Sequence, residues 1–157
     1  MNDTALKAWL ENEGFPCADS LRGTLHGRIA NATTPLMYAA RIGRIGFIGE
    51  LLSRGADPCE MNADGNGALW FACYANSAPC VNALIKAGAP IDSQNVNGAT
   101  ALMYAASAGK TGIVELLLEA GADTTLETLD GFTALDLAAN LDCMNMLRAN
   151  HRQLLAA

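Results

Sequence analysis

Apolar positions along the chain fall into two alternating patterns. Blocks led by Thr or Gly, TPLMYAA at 34–40, GALWFAC at 67–73, TALMYAA at 100–106 and TALDLAA at 133–139, recur at one constant step. A second set, LLSRGAD at 51–57, LIKAGAP at 84–90 and LLEAGAD at 117–123, keeps the same period. Two motifs sharing one period mark an internal repeat. They divide the chain into units at about 29–61, 62–94, 95–127 and 128–157, preceded by a separate segment at 1–28.

Each unit predicts a pair of helices. Thr34, Thr100 and Thr133 stand where a side-chain oxygen caps a first helix, Gly67 replaces Thr in the second unit, and Pro35 sits at the first helical position, where its missing N–H does no harm. Gly43, Asn76 and Gly109 end that helix. In the first unit Phe47, Ile48, Leu51 and Leu52 then form one apolar stripe, and Gly55, Gly88 and Gly121 stop the second helices. Roughly ten residues remain before the next first helix, too few for a third one. They suit an extended finger turning at Gly65, Gly98 and Gly131. Gly46 and Gly49 inside a second helix predict that it frays or packs unusually closely against a neighbour.

A stack of such units needs polar outer faces at both ends. Asn150, His151, Arg152 and Gln153 supply one on the last helix. At the other end Thr4 is placed to cap a helix over about 5–13 with Leu6, Trp9 and Leu10 on one face, Gly14 to stop it, and Phe15-Pro16 to lead outward. This looks like the second helix of a degenerate unit. Gly14 to Thr34 spans 20 residues against 12 from Gly55 to Gly67, so the connection at 14–33 carries about eight extra residues.

These motifs resemble the ankyrin repeat family, whose unit runs roughly D-x-x-G-x-T-P-L-H-x-A-A-x-x-G and ends in L-L-L-x-x-G-A-D. The likeness covers about 29–157. It implies an all-α repeat solenoid of stacked antiparallel helix pairs with β-hairpin fingers, and protein binding rather than catalysis as the usual work. Met37, Trp70, Met103 and Asp136 occupy the place of the family's motif His. The Thr–His hydrogen bonding is therefore expected to be absent, with apolar packing in its place.

Composition narrows the function. The chain has 157 residues, 10 Lys and Arg against 16 Asp and Glu, and a net charge of −6. That balance argues against nucleic acid, whose binding needs a basic patch, and against anionic membranes. No apolar run approaches the roughly 18 residues that span a bilayer. The start MNDTALKAWLENEG carries early carboxylates unlike a secretory signal, and a cytoplasmic monomer is expected. Cys17, Cys59, Cys73, Cys80 and Cys143 are odd in number and contain no CxxC, and only His26 and His151 are available to complete a metal site or a catalytic centre. Reduced thiols, no metal, no cofactor and no enzyme activity follow as expectations. Cys73 and Cys80 are expected to be small buried hydrophobes, Cys59 and Cys17 loop residues, and both histidines solvated.

The charge is unevenly spread. The finger windows 55–66, 88–99 and 121–132 hold Asp57, Glu60, Asp64, Asp92, Asp123, Glu127 and Asp130 and no Lys or Arg. Asp57 and Asp123 belong to the G-A-D motif and brace turns; the other five acids are expected to stand unopposed and to attract a protein partner with a basic surface. Tyr38, Phe71 and Tyr104 repeat at one register as a packing column completed by Leu137, whereas Tyr74 lies just past it as an exposed aromatic. The expected partner-binding residues are Asp64, Asn66, Tyr74, Asn97, Asp130 and Phe132, joined by Arg41 and Ser107. A non-enzymatic interaction module is the leading function, and a dedicated inhibitor or immunity-type regulator of an enzyme the alternative.

Overall fold

The computed structural model describes residues 3–16 and 25–157, which form nine α-helices. They are α1 (Asp3–Asn12), α2 (Pro35–Arg41), α3 (Ile45–Ser53), α4 (Ala68–Tyr74), α5 (Ala78–Lys86), α6 (Ala101–Ser107), α7 (Thr111–Glu119), α8 (Ala134–Leu137) and α9 (Leu141–Ala156). First helices pack in one row, α2 on α4 on α6 on α8, and second helices in another, α3 on α5 on α7 on α9. Between the rows lie columns of side chains that recur once per unit. Leu36, Leu69 and Leu102 form one, Ile48, Val81, Val114 and Leu147 another, and Leu51, Leu84 and Leu117 a third, all buried. Cys73 and Cys80 sit in this core without solvent exposure, and burial pushes the Cys73 thiol up to about 12. Cys59 is exposed; Cys17 lies outside the described residues.

The caps follow the chemistry of their residues. Thr34 Oγ1 accepts from Met37 N at 3.3 Å, Thr100 Oγ1 from Met103 N at 3.2 Å, and Thr133 Oγ1 from Asp136 N at 3.3 Å. The reciprocal bond corrects the expectation that apolar packing alone replaces the motif His. The Met37 and Met103 thioethers accept from the N–H of Thr34 and Thr100 at 3.5 and 3.4 Å, and the Asp136 carboxylate accepts from Thr133 N at 2.9 Å. Each is a capping box, closed in two cases by sulfur, a weak acceptor that tolerates full burial.

Three further expectations are corrected, and one of two alternatives for Gly46 and Gly49 is removed. α1 begins at Asp3, so Thr4 lies inside the helix rather than capping it. Phe15 is buried and meets Tyr38 edge-on, so it turns inward instead of leading away. The bonding at this point explains why: Gly14 N–H donates to Glu11 and Phe15 N–H to Leu10, the pattern that Gly55 and Ala56 make with Leu52 and Leu51. Phe15 thus takes the place of a buried motif Ala at the end of a second helix. Gly46 and Gly49 have open space around a would-be Cβ, which rules out close packing as their reason. Gly49→Ala is therefore expected to raise stability by about 0.5–1 kcal/mol, and Gly46→Ala, in the first turn, by less, as read from urea unfolding. The fingers, finally, are not extended hairpins. Among the described residues no strand forms, and isolated antiparallel bridges join Ile29 to Thr33 and Met61 to Gly67.

The last unit departs from the pattern. α8 stops after four residues, where the other first helices have seven. Ala138 leaves the helix, Ala139 N–H bonds Ala106 O at 3.0 Å, and Asn140 caps α9 from the side facing Gly109. α9 runs 16 residues against nine in α3, α5 and α7, and residues 151–157 are exposed. The polar end expected at Asn150 to Gln153 is there, although Asn150 is half-buried and its Oδ1 has no hydrogen-bond partner.

Candidate binding surface

The fingers are five-residue turns at 29–33, 62–66, 95–99 and 128–132. In each, the first N–H donates to the fifth carbonyl: Ile29 to Thr33, Asn62 to Asn66, Asn95 to Ala99 and Thr128 to Phe132, at 2.9–3.0 Å. Side chains at the first position complete the turn. Asn62 Oδ1 accepts from Asp64 and Asn66 N–H, Asn95 Oδ1 from Asn97 and Ala99 N–H, and Thr128 Oγ1 from Phe132 N–H. Gly65, Gly98 and Gly131 hold positive φ of 78°, 74° and 80°.

Successive fingers are stitched together at the same period. Ala63 N–H donates to Asn31 O at 3.1 Å, Val96 N–H to Asp64 O at 2.9 Å, and Leu129 N–H to Asn97 O at 3.0 Å. Long side chains add to this. Arg28 donates to Ala32 O in its own finger and to Met61 O in the next; Gln94 does the same to Gly98 O and Glu127 O, both at 2.8 Å. Arg28 and Gln94 share one register with Met61 and Glu127, so the role passes between unlike residues and no sequence signal marks it. The turn-closing role, by contrast, is marked by the recurrence of Asn62 as Asn95 one repeat later.

The expected binding residues fall into three registers. Asp64, Asn97 and Asp130 are exposed at the finger turns. Asn66 and Phe132 close their turns; Phe132 is 49% exposed, whereas Asn66 is half-buried with its side-chain carbonyl taken by Asn95. Arg41, Tyr74 and Ser107 are exposed at the ends of α2, α4 and α6, and Ser107 Oγ donates to Tyr104 O. Val96, whose N–H bonds the Asp64 carbonyl, and Leu129, beside Asp130, are 58% and 79% exposed, apolar finger residues that sequence reasoning missed.

Tyr74, 53% exposed, stacks on Tyr104 with centroids 6.2 Å apart, and Trp70 reaches Tyr104 at 5.1 Å. Lys110 Nζ lies 5.7 and 5.3 Å from the Tyr74 and Tyr104 rings and donates to the carbonyls of Cys73 and Tyr74 at 3.0 and 2.6 Å. A cation on the last carbonyls of α4 matches the negative end of that helix and fixes the aromatic pair beside it. Burial raises the Tyr104 phenol, and in the first unit the Glu13 carboxylate, accepting from the Tyr38 hydroxyl at 2.6 Å, raises Tyr38.

Electrostatics need one correction. Glu60 is not unopposed, because Arg28 and His26 both reach its carboxylate, the latter at 3.0 Å. His26 is exposed, as expected, while making that bond. Asp57 and Asp123 brace turns, accepting from Cys59 and Thr125 N–H at 2.8 Å, and the Thr125 bonds hold Asp123 below the usual carboxylate range. Asp64, Asp92, Glu127 and Asp130 remain without a Lys or Arg partner among the described residues.

A pair of helices in each period, the first capped by Thr in three of the four units, together with the bonded finger turns, defines the repeat unit. The family model for ankyrin repeats, which describes three copies, matches residues 2–95 and again 69–154. The chain is an ankyrin-repeat protein. No curated protein matches it. Ankyrin repeats are generally protein–protein interaction modules and typically non-enzymatic. In this ankyrin-repeat array no helix of the described residues is long and apolar enough to cross a membrane, and no three His, Cys, Asp or Glu among them are grouped to hold a metal.

Proposed function

We propose that this ankyrin-repeat domain, residues 29–157 behind a capping segment at 1–28, is a cytoplasmic, non-enzymatic module that binds a protein partner with a basic surface. It does so through the finger turns and the exposed ends of its first helices. The observation that carries this is the division of labour along the repeat. Columns facing the core are apolar and buried, while Asp64, Asn97 and Asp130, and Arg41, Tyr74 and Ser107, recur at exposed registers. A periodic exposed surface that the fold does not need for packing is free to vary for recognition. Four finger carboxylates without a Lys or Arg partner among the described residues give it a negative field, which raises the rate of encounter with a basic partner.

The test is binding of a partner captured from the native host, followed by surface plasmon resonance at low and high salt. Reversing Asp64 and Asp130 to Lys together is expected to slow association about tenfold or more at low salt and to flatten the salt dependence. An unchanged association rate would sink the electrostatic part. Dissociation that accelerates in Tyr74→Ala, with association unaltered, is the expected mark of an aromatic contact.

A further inference from the structure

The two ends of the helix pairs carry opposite charge. The finger end is acidic, while the turns between first and second helices, at 41–45, 74–78 and 107–111, contain Arg41, Arg44 and Lys110 and no Asp or Glu. Those turns form one continuous edge. The Cβ atoms of Ala75 and Ser77 lie 3.9 Å from a would-be Cβ on Gly43, and Lys110 Nζ reaches back to the carbonyls of Cys73 and Tyr74. Arg41 and Arg44 are exposed and have no acidic partner among the described residues. Lys110 uses two of its three N–H donors on the two carbonyls, which holds its charge in place and leaves the third open.

The two ends match in spacing as well as in sign. Arg44, Ser77 and Lys110 share one register, each just before a second helix, so the turn edge runs positive, neutral, positive. The exposed finger residues Asp64, Asn97 and Asp130 share another register and run negative, neutral, negative. In both rows the charges stand two units apart, about 16–20 Å at ordinary helix spacing, so a finger row laid on a turn edge engages both pairs at once. Exposure at the finger register does not depend on place in the array, because Asp64 and Asn97 are exposed with a finger bonded on either side. Asp64 accepts from Asn31 Nδ2 at 2.5 Å, which fixes its carboxylate without neutralising it. Apolar neighbours select the direction. Ile42 and Ile45, 40% and 44% exposed, flank Arg44, and Leu129, 79% exposed, precedes Asp130, whereas Ala63 precedes Asp64. Arrays running in opposite directions therefore set Arg44 and its isoleucines against Asp130 and Leu129, and Lys110 against Asp64.

We infer that the helix-turn edge binds the finger row of a second copy of this chain, through the pairs Arg44–Asp130 and Lys110–Asp64. The contact joins unlike surfaces, so each copy keeps one finger row or one turn edge for a further copy. It replaces the monomer expected from the sequence, and it goes beyond the reading above, which gives Arg44 and Lys110 no role. The turn edge and a basic partner then compete for the same finger carboxylates.

The test is sedimentation equilibrium of the full chain at low salt, up to about 1 mM, where a contact resting on two exposed charge pairs and a few apolar side chains is expected to be populated. Reversible association should appear there and weaken in about 0.5 M salt, which screens charges beyond about 4 Å. Arg44→Asp and Asp130→Arg should each weaken it about tenfold, because attraction at an exposed pair becomes repulsion. Both residues are exposed, so circular dichroism should match the parent protein in each variant. Combined in one chain, the two substitutions should restore association, since the pair is remade with its signs exchanged. Arg44→Asp combined with Asp64→Arg should not restore it. Restoration by the Asp64 combination instead would overturn the stated pairing and direction. Restoration by neither would show that the association, if present, uses other surfaces, and would overturn the inference. A single sedimenting species at every concentration would overturn it as well. The acidic-finger reading has its own test: a captured basic partner whose association rate still depends on Asp64 and Asp130 would leave that reading standing.

Discussion

Leu84→Ala is expected to lower the free energy of unfolding by about 3–5 kcal/mol, measured by urea denaturation followed by circular dichroism. Leu84 is fully buried on α5, in the column of Leu51 and Leu117. Truncation leaves a cavity that flanking helices on both sides must either span or collapse into. In a linear array each unit contacts only its neighbours, so a defect in a central unit weakens two junctions at once. Leu117→Ala provides the comparison. The position beyond it is Asn150, half-buried, so that column already ends in a poorer contact and the loss should be smaller. A domain of this size has about 5–15 kcal/mol in hand, so the Leu84 substitution removes a large share of the total. Equal costs at Leu84 and Leu117 would contradict the nearest-neighbour account.

The second large effect belongs to Gly98. Its φ is +74°, and a Cβ there would lie 2.8 Å from Leu129 N and 3.1 Å from two atoms of the Thr128 backbone. Two penalties therefore add. An L-residue in the left-handed region costs about 1–2 kcal/mol, and relieving a clash against backbone costs about 1–3 more. Gly131, at φ +80°, has nothing within 4 Å of its would-be Cβ. Gly131→Ala should show the conformational penalty alone, about 1–2 kcal/mol, and the difference between the two variants measures how tightly fingers stack. Hydrogen exchange supplies the local readout: in Gly98→Ala the Leu129 amide, bonded to Asn97 O at 3.0 Å, should lose protection before the helices do.

Much of the fold was legible because the repeat states it several times. A single Thr before an apolar run is a weak sign of a cap; three of them in one repeat register, two followed by Gly at the same distance, leave little choice. The caps at Thr34, Thr100 and Thr133, the positive φ at Gly43, Asn76 and Gly109, and the burial of Cys73 and Cys80 all follow from local chemistry and periodicity. What was misjudged depends on partners distant in the chain. Phe15 points inward because Tyr38 and the core are there to receive it. Glu60 lost its place among the unopposed acids because Arg28, outside the finger window, crosses to it. Lys110, Arg28 and Gln94 escaped notice because a stitch between neighbours needs only a donor of the right reach, and Arg, Lys and Gln all provide one.

The sequence by itself determined the unit, its two helices, their caps and the net negative charge, since each depends on interactions within a few residues or on a simple count. The tertiary structure decided which charges lack a Lys or Arg partner among the described residues and which exposed side chains are already bonded. Those are properties of surfaces made by two units together, which no single unit's sequence contains.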